Sequence, residues 1–499
     1  MLQAMTEFEL KLEIPPERLA AVLAAMREDK VRRKHLLARY FDTQDEALAH
    51  QGIVLRLRQE GRAWVQTAKC AGSGPLERLE HNVLLAALPG AAPPEVSLAR
   101  HAGTPVGEKI REALKLDSLD DTPALLPKFE TEVQRLTRRI EQAGSAIEVA
   151  LDRGKVRAGA GQTALCEIEF ELLDGEPAAA VAIARQWRAA HGLWLSTTSK
   201  SAKGQRLAAG KQFGPPVGAS RPHLKRSDSG GEIGVAVVRA CLDQVLGNAS
   251  EIGAGSIDAE SIHQLRVGIR RLRTALRELQ GLAPAADPAW EPALVDLFRA
   301  LGRHRDHDYL ECVAQPQLEA QGGPPVDVGR PEDLADPPAA VRSPLFQDAL
   351  LGLLEVIHSA NAQEASESGS RGALKMLGSR LEKLHRQVGK DGRRFQQLEP
   401  QRQHRVRKRL KRLRYLAEFV APLFPVRKGR EFIDALKPVQ DAMGLYNDEL
   451  MALEAYRRLA QRDPAALFGV GWFTGRRAAN AARCERELER LAKAKPFWR

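Results

Sequence analysis

The chain has 499 residues, of which 43% are hydrophobic and 28% charged, and 75 Lys and Arg against 64 Asp and Glu give a formal net charge of +11. This composition is that of a globular protein and excludes a disordered or fibrous one. No run reaches the roughly 18–20 apolar residues of a membrane span, and the N-terminus places Glu7 and Glu9 where a signal peptide would be basic and then apolar. We therefore expect a cytoplasmic protein with no membrane partner. Five scattered cysteines argue against a disulfide scaffold or a zinc site.

The positive charge is unevenly distributed. Residues 1–210 hold 29 basic and 28 acidic side chains, whereas residues 211–499 hold 46 and 36. A stretch rich in Gly, Pro and Ser separates these halves and has no apolar periodicity, as expected of a linker. The predicted division is a domain over 1–208, a linker over 209–231 and a second domain over 232–499.

The first domain is predicted to be antiparallel β with flanking helices. Residues 7–14 alternate charged and apolar side chains, as a strand with two different faces does. The same alternation puts Arg56 and Arg58 on one face of a later strand, and Glu148 and Asp152 on one face of another. A further strand carries three carboxylates on one face, those of Glu167, Glu169 and Glu171.

One charged strand face is usually a solvated face. Here some strands are acidic and others basic, which a merely solvated sheet does not require. A sheet whose charged faces converge would bring carboxylates, which suit a hard divalent cation, next to Arg and Lys, which suit phosphate oxygens. The pattern therefore predicts a site for a polyphosphate chain and a metal ion.

An ordered series of motifs resembles the CYTH domain of the triphosphate tunnel metalloenzymes. The motifs are Glu7-x-Glu9-x-Lys11, Arg56-x-Arg58, Gln66-Thr67-Ala68-Lys69, Arg78-x-Glu80, Phe129-x-Thr131 with Arg135, Glu148-x-Ala150-x-Asp152-x-Gly154, Glu167-x-Glu169-x-Glu171 and Ser199-Lys200-x-x-Lys203-Gly204. The resemblance implies an eight-stranded antiparallel β tunnel that acts on triphosphates with Mg²⁺ or Mn²⁺.

The same resemblance implies roles for individual residues. The predicted metal ligands are Glu7, Glu9, Glu148, Asp152, Glu167, Glu169 and Glu171. The predicted substrate-binding residues are Lys11, Arg56, Arg58, Lys69, Arg78, Arg135, Lys200 and Lys203. Glu7, Glu9, Lys11, Arg56 and Arg58 are the predicted catalytic residues.

The second domain is predicted to be all α, with an internal duplication. Two segments that begin at His263 and His404 align without gaps, and offsets 0, 3, 7 and 10 form one basic stripe on a helix. Matching signatures follow, Leu301 to Asp308 and Met443 to Asp448. The repeated motifs fall within about 232–314 and 372–499, and we expect two pseudo-symmetric helical bundles.

A run of basic residues is usually a solvated helix face, but its recurrence favours an anion-binding surface because clustered like charges repel one another. The segments resemble the CHAD (conserved histidine α-helical) domain, which implies binding of long-chain inorganic polyphosphate. The predicted ligand residues are His263, Arg266, Arg270, Arg271, Arg273, His404, Arg407, Lys411, Arg412 and Arg414. Nucleic acid is disfavoured, because aromatic residues make up only 5% of the chain and Tyr415 alone interleaves with the stripes.

These features together predict a metal-dependent inorganic triphosphatase that cleaves tripolyphosphate to diphosphate and phosphate and docks on long-chain polyphosphate, in the cytoplasm or at polyphosphate granules. One alternative is a non-catalytic polyphosphate-binding or granule-associated protein. Another is a tunnel enzyme that hydrolyses thiamine triphosphate or cyclises ATP.

Overall fold

A computed structural model of the chain describes residues 5–27, 30–72, 76–85, 93–121, 123–283, 285–329, 331, 334–359 and 369–499. Nine β-strands are found in these parts of the chain, all before residue 196. They are β1 (Met5–Glu13), β2 (Arg32–Asp42), β3 (Val54–Glu60), β4 (Ala63–Ala71), β5 (Glu77–Leu85), β6 (Leu126–Gln142), β7 (Ser145–Ala158), β8 (Gly161–Asp174) and β9 (Trp194–Leu195).

Eight of these strands form a closed antiparallel barrel. The strand order is β5-β4-β3-β2-β6-β7-β8-β1, and the pairing of β1 with β5 closes the sheet. Strand β9 pairs with the second half of β1, where Leu12 lies opposite Leu195. The predicted eight-stranded antiparallel tunnel is therefore confirmed.

The alternation in the sequence separates the two faces of the barrel wall. On β1 the side chains of Phe8, Leu10 and Leu12 are buried on the outside, whereas the odd-numbered Glu7, Glu9 and Lys11 face the interior. Since period-two alternation puts successive side chains on opposite faces, one apolar and one charged face result. The charged face points inward because helices cover the apolar face.

Fifteen α-helices are found in the described residues. The first five are α1 (Leu19–Met26), α2 (Ala47–His50), α3 (Pro105–Leu114), α4 (Pro177–His191) and α5 (Lys200–Ala208). The others are α6 (Gly230–Gly253), α7 (Ala259–Glu278), α8 (Trp290–Tyr309), α9 (Gln315–Glu319), α10 (Pro337–Val341), α11 (Pro344–Ile357), α12 (Ser370–Gly392), α13 (Pro400–Val420), α14 (Val426–Leu459) and α15 (Leu467–Ala492). The all-α character predicted for the second half is confirmed.

The chain forms two structural units that do not follow chain order. The barrel unit comprises Met1–Val217, Val245–Ser261 and Val341–Ala360, and the helical unit comprises Gly218–Gln244, Ile262–Ala340 and Asn361–Arg499. The end of α6 and the whole of α11 thus belong with the barrel. The division at 208 and 232 stays a prediction about domains, and the structural units cross it.

Helices supply the apolar cover of the barrel. Helices α2 and α3 pack on the outer face of β3 and β4, where Leu48, Val106 and Ile110 share a core cluster with Leu55 and Ala68. Helix α4 packs on β1 and β8. Helix α11 packs in turn on α4.

The helical unit carries the duplicated motifs on corresponding kinds of element. The two basic segments lie on α7 and α13, and the two downstream signatures lie on α8 and α14. The apolar positions of the basic segments are buried, as shown by Leu265, Ile269, Leu410 and Leu413. Each segment therefore packs one face into a core and leaves its basic stripe on another. No helix in the described parts of the chain is long and apolar enough to cross a membrane.

Candidate functional site

The barrel encloses a charged cavity of about 720 Å³. It brings together most of the predicted catalytic, substrate and metal residues, which come from β1, β3 to β8 and α5. Those that line it are Glu7, Glu9, Lys11, Arg56, Arg58, Lys69, Arg78, Arg135, Glu148, Asp152, Glu169, Glu171 and Lys200. Glu167 lies beside this wall and contacts Lys11 and Lys200, and Lys203 contacts Glu167.

Three carboxylates in or beside the cavity are already paired with cations. Oxygens of Asp152, Glu167 and Glu169, called here the paired carboxylates, lie within 4.8 Å of one another. Lys200 Nζ lies 2.7 Å from Asp152, 2.7 Å from Glu167 and 2.5 Å from Glu169. Arg135 donates to Asp152 at 2.7 and 2.6 Å, and to Glu169 at 2.6 Å.

These cations keep Glu167 and Glu169 ionised although both are buried. Burial acts to raise the pKa of Glu167, but Lys11, Lys200 and Lys203 hold this pKa well below its usual value. In the same way, Lys200 and Arg135 outweigh burial and lower the pKa of Glu169 to about 2. Lys200 has its own pKa raised, because the three carboxylates outweigh its desolvation.

A second set of three carboxylates has too few neighbouring cations to offset their burial and their mutual repulsion. Burial and the neighbouring Glu169 and Glu7 raise the pKa of Glu9 to about 8. Burial also raises the pKa of Glu7 to about 8 and, together with Glu9, that of Glu171 to about 7. We call Glu7, Glu9 and Glu171 the crowded carboxylates. Lys69 pairs with Glu7 at 2.7 Å, but these side chains still repel one another when ionised.

The arginines of β3 line the cavity, and each has a buried donor without a partner among the described residues. The Nε atoms of Arg56 and Arg58 are buried and have no hydrogen-bond partner among the described residues. Burial and the adjacent Arg56 lower the pKa of Arg58 to about 10. Buried donors without a partner are costly, so an anion that accepts from them would be stabilised here.

Sequence reasoning missed two carboxylates of this site. Glu13 continues the odd-numbered series on β1 and accepts from Lys203 at 2.7 Å. Glu80, on β5, forms ion pairs with Lys69 and, at 3.9 Å, with Arg56. Both continue an alternation that was visible in the sequence, and both hold cations of the site.

A second basic site lies in the helical unit. Arg266 and Arg270 on α7 and Arg407 and Lys411 on α13 are near enough to perturb one another, and we call these four the basic patch. Burial, followed by Arg270 and Arg407, lowers the pKa of Lys411 to about 7. Burial and Arg270 lower the pKa of Arg266 to about 10.

Two guanidinium groups of the patch contact an aromatic ring, and two of the patch's Nε donors have no hydrogen-bond partner among the described residues. Arg266 and Arg270 both lie over the ring of Phe298, at 4.9 and 5.2 Å from its centroid. A side chain at Gly302 would place its Cβ 3.2 Å from the guanidinium of Arg266. The buried Nε atoms of Arg266 and Arg407 have no hydrogen-bond partner among the described residues.

Most of the other predicted polyphosphate ligands do not share this environment, although Arg414 is near enough to lower the pKa of Lys411. Arg271 is 2% exposed and donates to Gln244 and to the carbonyl of Ser220. Three more are paired with acids: Arg273 with Glu291, Arg412 with Glu278, and Arg414 with Glu418. His263 and His404 lie exposed in the first turns of their helices. The four residues of the basic patch are thus the part of the set that converges.

Acidic residues of the two signatures form ion pairs with Arg305, which was not among the predicted polyphosphate ligands. Asp448 accepts from both terminal nitrogens of Arg305, at 2.8 and 2.7 Å. Asp306 lies 3.5 Å from the same guanidinium. Arg305 also lies close enough to Arg266 and Arg407 to lower their pKa values. The signatures therefore position a fifth cation beside the basic patch.

Comparison with known proteins finds a match to a different family model in each half of the chain. Residues 5–204 match the family model of the CYTH domain, and residues 236–457 match that of the CHAD domain. An inorganic triphosphatase of Haemophilus influenzae is 31% identical over 215 residues, which are 42% of this chain and 56% of that protein. The chain thus matches only about half the length of this relative.

Among solved structures, the CHAD domain from the plant Ricinus communis is similar with 26% identity and a TM-score of 0.45, over 55% of this chain and 96% of that one. A putative adenylyl cyclase from Hippeastrum is similar with 16% identity and a TM-score of 0.30, over 42% of this chain and 97% of that one. The two family matches, together with the barrel and the helical architecture, show that the protein carries a CYTH domain followed by a CHAD domain.

Proposed function

We propose that the barrel hydrolyses inorganic tripolyphosphate to diphosphate and phosphate with a divalent cation. The observation that carries this proposal is the single cavity in which seven predicted basic residues and six predicted carboxylates meet. The similarity to the inorganic triphosphatase of H. influenzae over 215 residues supports the same reaction.

The donor set suits a hard divalent cation, because every candidate ligand is a carboxylate oxygen. The crowded carboxylates Glu7, Glu9 and Glu171 are the ligands we favour, since the paired carboxylates are already neutralised by Lys200, Arg135 and their neighbours. When bound, Mg²⁺ or Mn²⁺ would offset the charge of the phosphate oxygens and so favour attack at phosphorus.

The basic residues would act directly on the substrate. Arg56 and Arg58 offer their unused donors to the phosphate oxygens, and Lys11, Lys69 and Arg135 add charge around the same space. Positioned cations of this kind withdraw charge from the phosphorus under attack and stabilise the diphosphate that leaves. A carboxylate of the cavity would orient the attacking water, whose oxygen ends on the released phosphate.

The test is turnover of the full chain on tripolyphosphate, with Mg²⁺, with Mn²⁺ and with a chelator. We expect hydrolysis only with the cation, and a loss on the order of 10³-fold in the Glu7→Gln/Glu9→Gln variant. Glu130→Gln, on an exposed carboxylate that pairs with Arg39 outside the cavity, is the matched control. Unchanged turnover in the double variant would contradict the proposal.

A panel of substrates separates the alternatives. Thiamine triphosphate, ATP and long-chain polyphosphate are assayed beside tripolyphosphate under the same conditions. We expect the highest kcat/KM for tripolyphosphate, because no residue of the cavity was identified as a binder of a base or thiazole ring. Turnover of ATP to a cyclic product would favour the cyclase alternative, and no turnover of any substrate would favour a binding protein.

The basic patch is proposed to bind long-chain polyphosphate. Four neighbouring cations, two of which have a buried Nε without a partner among the described residues, are stabilised by a polyanion that touches all of them. The test is retention on immobilised polyphosphate after Arg266, Arg270, Arg407 and Lys411 are all changed to Glu. We expect retention to be lost. The matched control reverses four exposed arginines of the same unit, Arg427, Arg477, Arg483 and Arg486.

A further inference from the structure

Three buried polar side chains from beyond residue 204 hold the segment that follows strand β9. They belong to the end of α6 and to α11, which are parts of the barrel unit. The hydrogen bonds run from Leu195 N to Gln347 Oε1 at 2.7 Å, from Thr197 N to Ser250 Oγ at 2.9 Å and from Thr198 Oγ1 to Glu251 Oε1 at 2.9 Å. Ser250, Glu251 and Gln347 are 1%, 4% and 1% exposed.

The segment held by these hydrogen bonds contacts Lys11, which lines the cavity. The carbonyl oxygen of Thr198 accepts a hydrogen bond from Lys11 Nζ, and Ser196 N donates to the carbonyl of Lys11 at 3.0 Å. The next residue, Ser199, caps α5 by accepting from Ala202 N at 3.1 Å. Helix α5 begins at Lys200, so the segment fixes two cations of the site.

Glu251 holds both ends of this arrangement. Besides Thr198, it binds Arg206 of α5 at 2.7 Å and accepts from Gly214 N at 2.8 Å. One buried carboxylate therefore joins the segment before α5, α5 itself and the chain that follows α5. Replacing it with Gln would remove the charge that pairs with Arg206 and would turn one of its two accepting oxygens into a donor.

We infer that Glu251, from beyond the matched CYTH domain, is a positioning residue that sets Lys11 and Lys200 for triphosphate hydrolysis. This inference rests on the proposed function of the cavity. Glu251 does not line the cavity, so it acts through Thr198 and α5 rather than on the substrate. A displacement of about 1 Å in such groups costs on the order of 10²-fold in rate.

The experiment compares three variants of the full chain. Glu251→Gln keeps the size of the side chain but removes its charge, and Thr198→Val removes only the hydroxyl donor. Asp348→Asn is the control, because Asp348 forms a comparable ion pair with Arg185, at 2.8 Å, between α11 and α4 and away from Lys11. The kcat and KM for tripolyphosphate, the thermal midpoint and amide hydrogen exchange over 195–204 are measured for each.

We expect kcat to fall about tenfold or more in Glu251→Gln and about threefold in Thr198→Val, with faster amide exchange over 195–204 in both. Asp348→Asn should lower the thermal midpoint and leave kcat within about twofold of wild type. If Glu251→Gln does not fold, Thr198→Val decides by the same two readouts.

Values of kcat and amide exchange equal to wild type in the folded variants would overturn the inference. An equal loss of kcat in Asp348→Asn would also overturn it, because the effect would then be general destabilisation. Failure of the proposed function is distinct, since it is seen as absent turnover in the wild-type chain. Amide exchange over 195–204 then still tests whether Glu251 fixes the segment.

Discussion

The two charged regions of this protein differ in what surrounds their cations. In the barrel, Lys200 and Arg135 lie against buried carboxylates, so the cavity holds many charges and little excess of either sign. In the helical unit, Arg266, Arg270, Arg407 and Lys411 lie mainly against each other, and their mutual repulsion, added to burial, lowers three of their pKa values.

This difference separates two modes of anion binding. A compensated cavity attracts a free polyanion weakly but holds positioned groups of both signs, which a reaction with a divalent cation requires. An uncompensated patch needs no metal, because the anion itself removes the repulsion. If the proposed functions hold, the excess positive charge, which lies almost entirely in residues 211–499, would serve retention, and the nearly neutral first half would serve chemistry.

Removing a cation that neutralises the buried carboxylates of the cavity should have the largest effect. Lys200→Met leaves Asp152, Glu167 and Glu169 buried with one cation fewer, and we expect the free energy of unfolding to fall by about 3–5 kcal/mol. Tripolyphosphate turnover should fall on the order of 10²-fold or more. Chemical denaturation and steady-state kinetics measure the two effects. Lys155→Met, on the barrel exterior, is the control, and equal behaviour of the two variants would contradict the account.

A smaller effect is expected when the patch loses one charge. Arg270→Gln removes the residue that perturbs Arg266, Arg407 and Lys411, so the affinity for long-chain polyphosphate should fall about tenfold at low salt. Because the attraction is screened, the difference between variant and wild type should shrink as salt rises. Equilibrium binding at several salt concentrations measures this, and a salt-independent difference would point to altered packing instead.

An effect of similar size is expected from the pH dependence of that binding. The pKa of Lys411 is about 7, so its amine is largely neutral at pH 8 and charged at pH 6. Polyphosphate favours the charged form, and affinity should therefore rise roughly tenfold from pH 8 to pH 6. Lys411→Arg keeps its charge over this range, so its affinity should change much less. An equal pH dependence in both proteins would assign the effect to another group.

Much of the fold followed from side-chain period. Strict alternation in residues 7–14 and in the acidic strands predicted a charged and an apolar face, and the barrel has both. The two stripes likewise predicted Arg266, Arg270, Arg407 and Lys411 on helices α7 and α13. These successes share a cause, because a period fixes the face of an element regardless of the rest of the chain.

What the sequence could not provide is the partner of each charge. Arg271 is at offset 8, which turns it about 80° from His263 and into a buried contact with Gln244. The hydrogen bond from Thr198 to Glu251 joins residues that are 53 positions apart and that no common period relates. Such pairings depend on tertiary packing, and the role of segments from α6 and α11 in the barrel unit could not be read from local pattern.

The most direct test of the account measures both activities in two variants of the full chain. One is Glu7→Gln/Glu9→Gln, and the other reverses Arg266, Arg270, Arg407 and Lys411 to Glu. We predict that the first loses tripolyphosphate turnover but binds long-chain polyphosphate as wild type does, and that the second shows the opposite. Loss of both activities in either folded variant would contradict the claim that the cavity and the basic patch are separate sites.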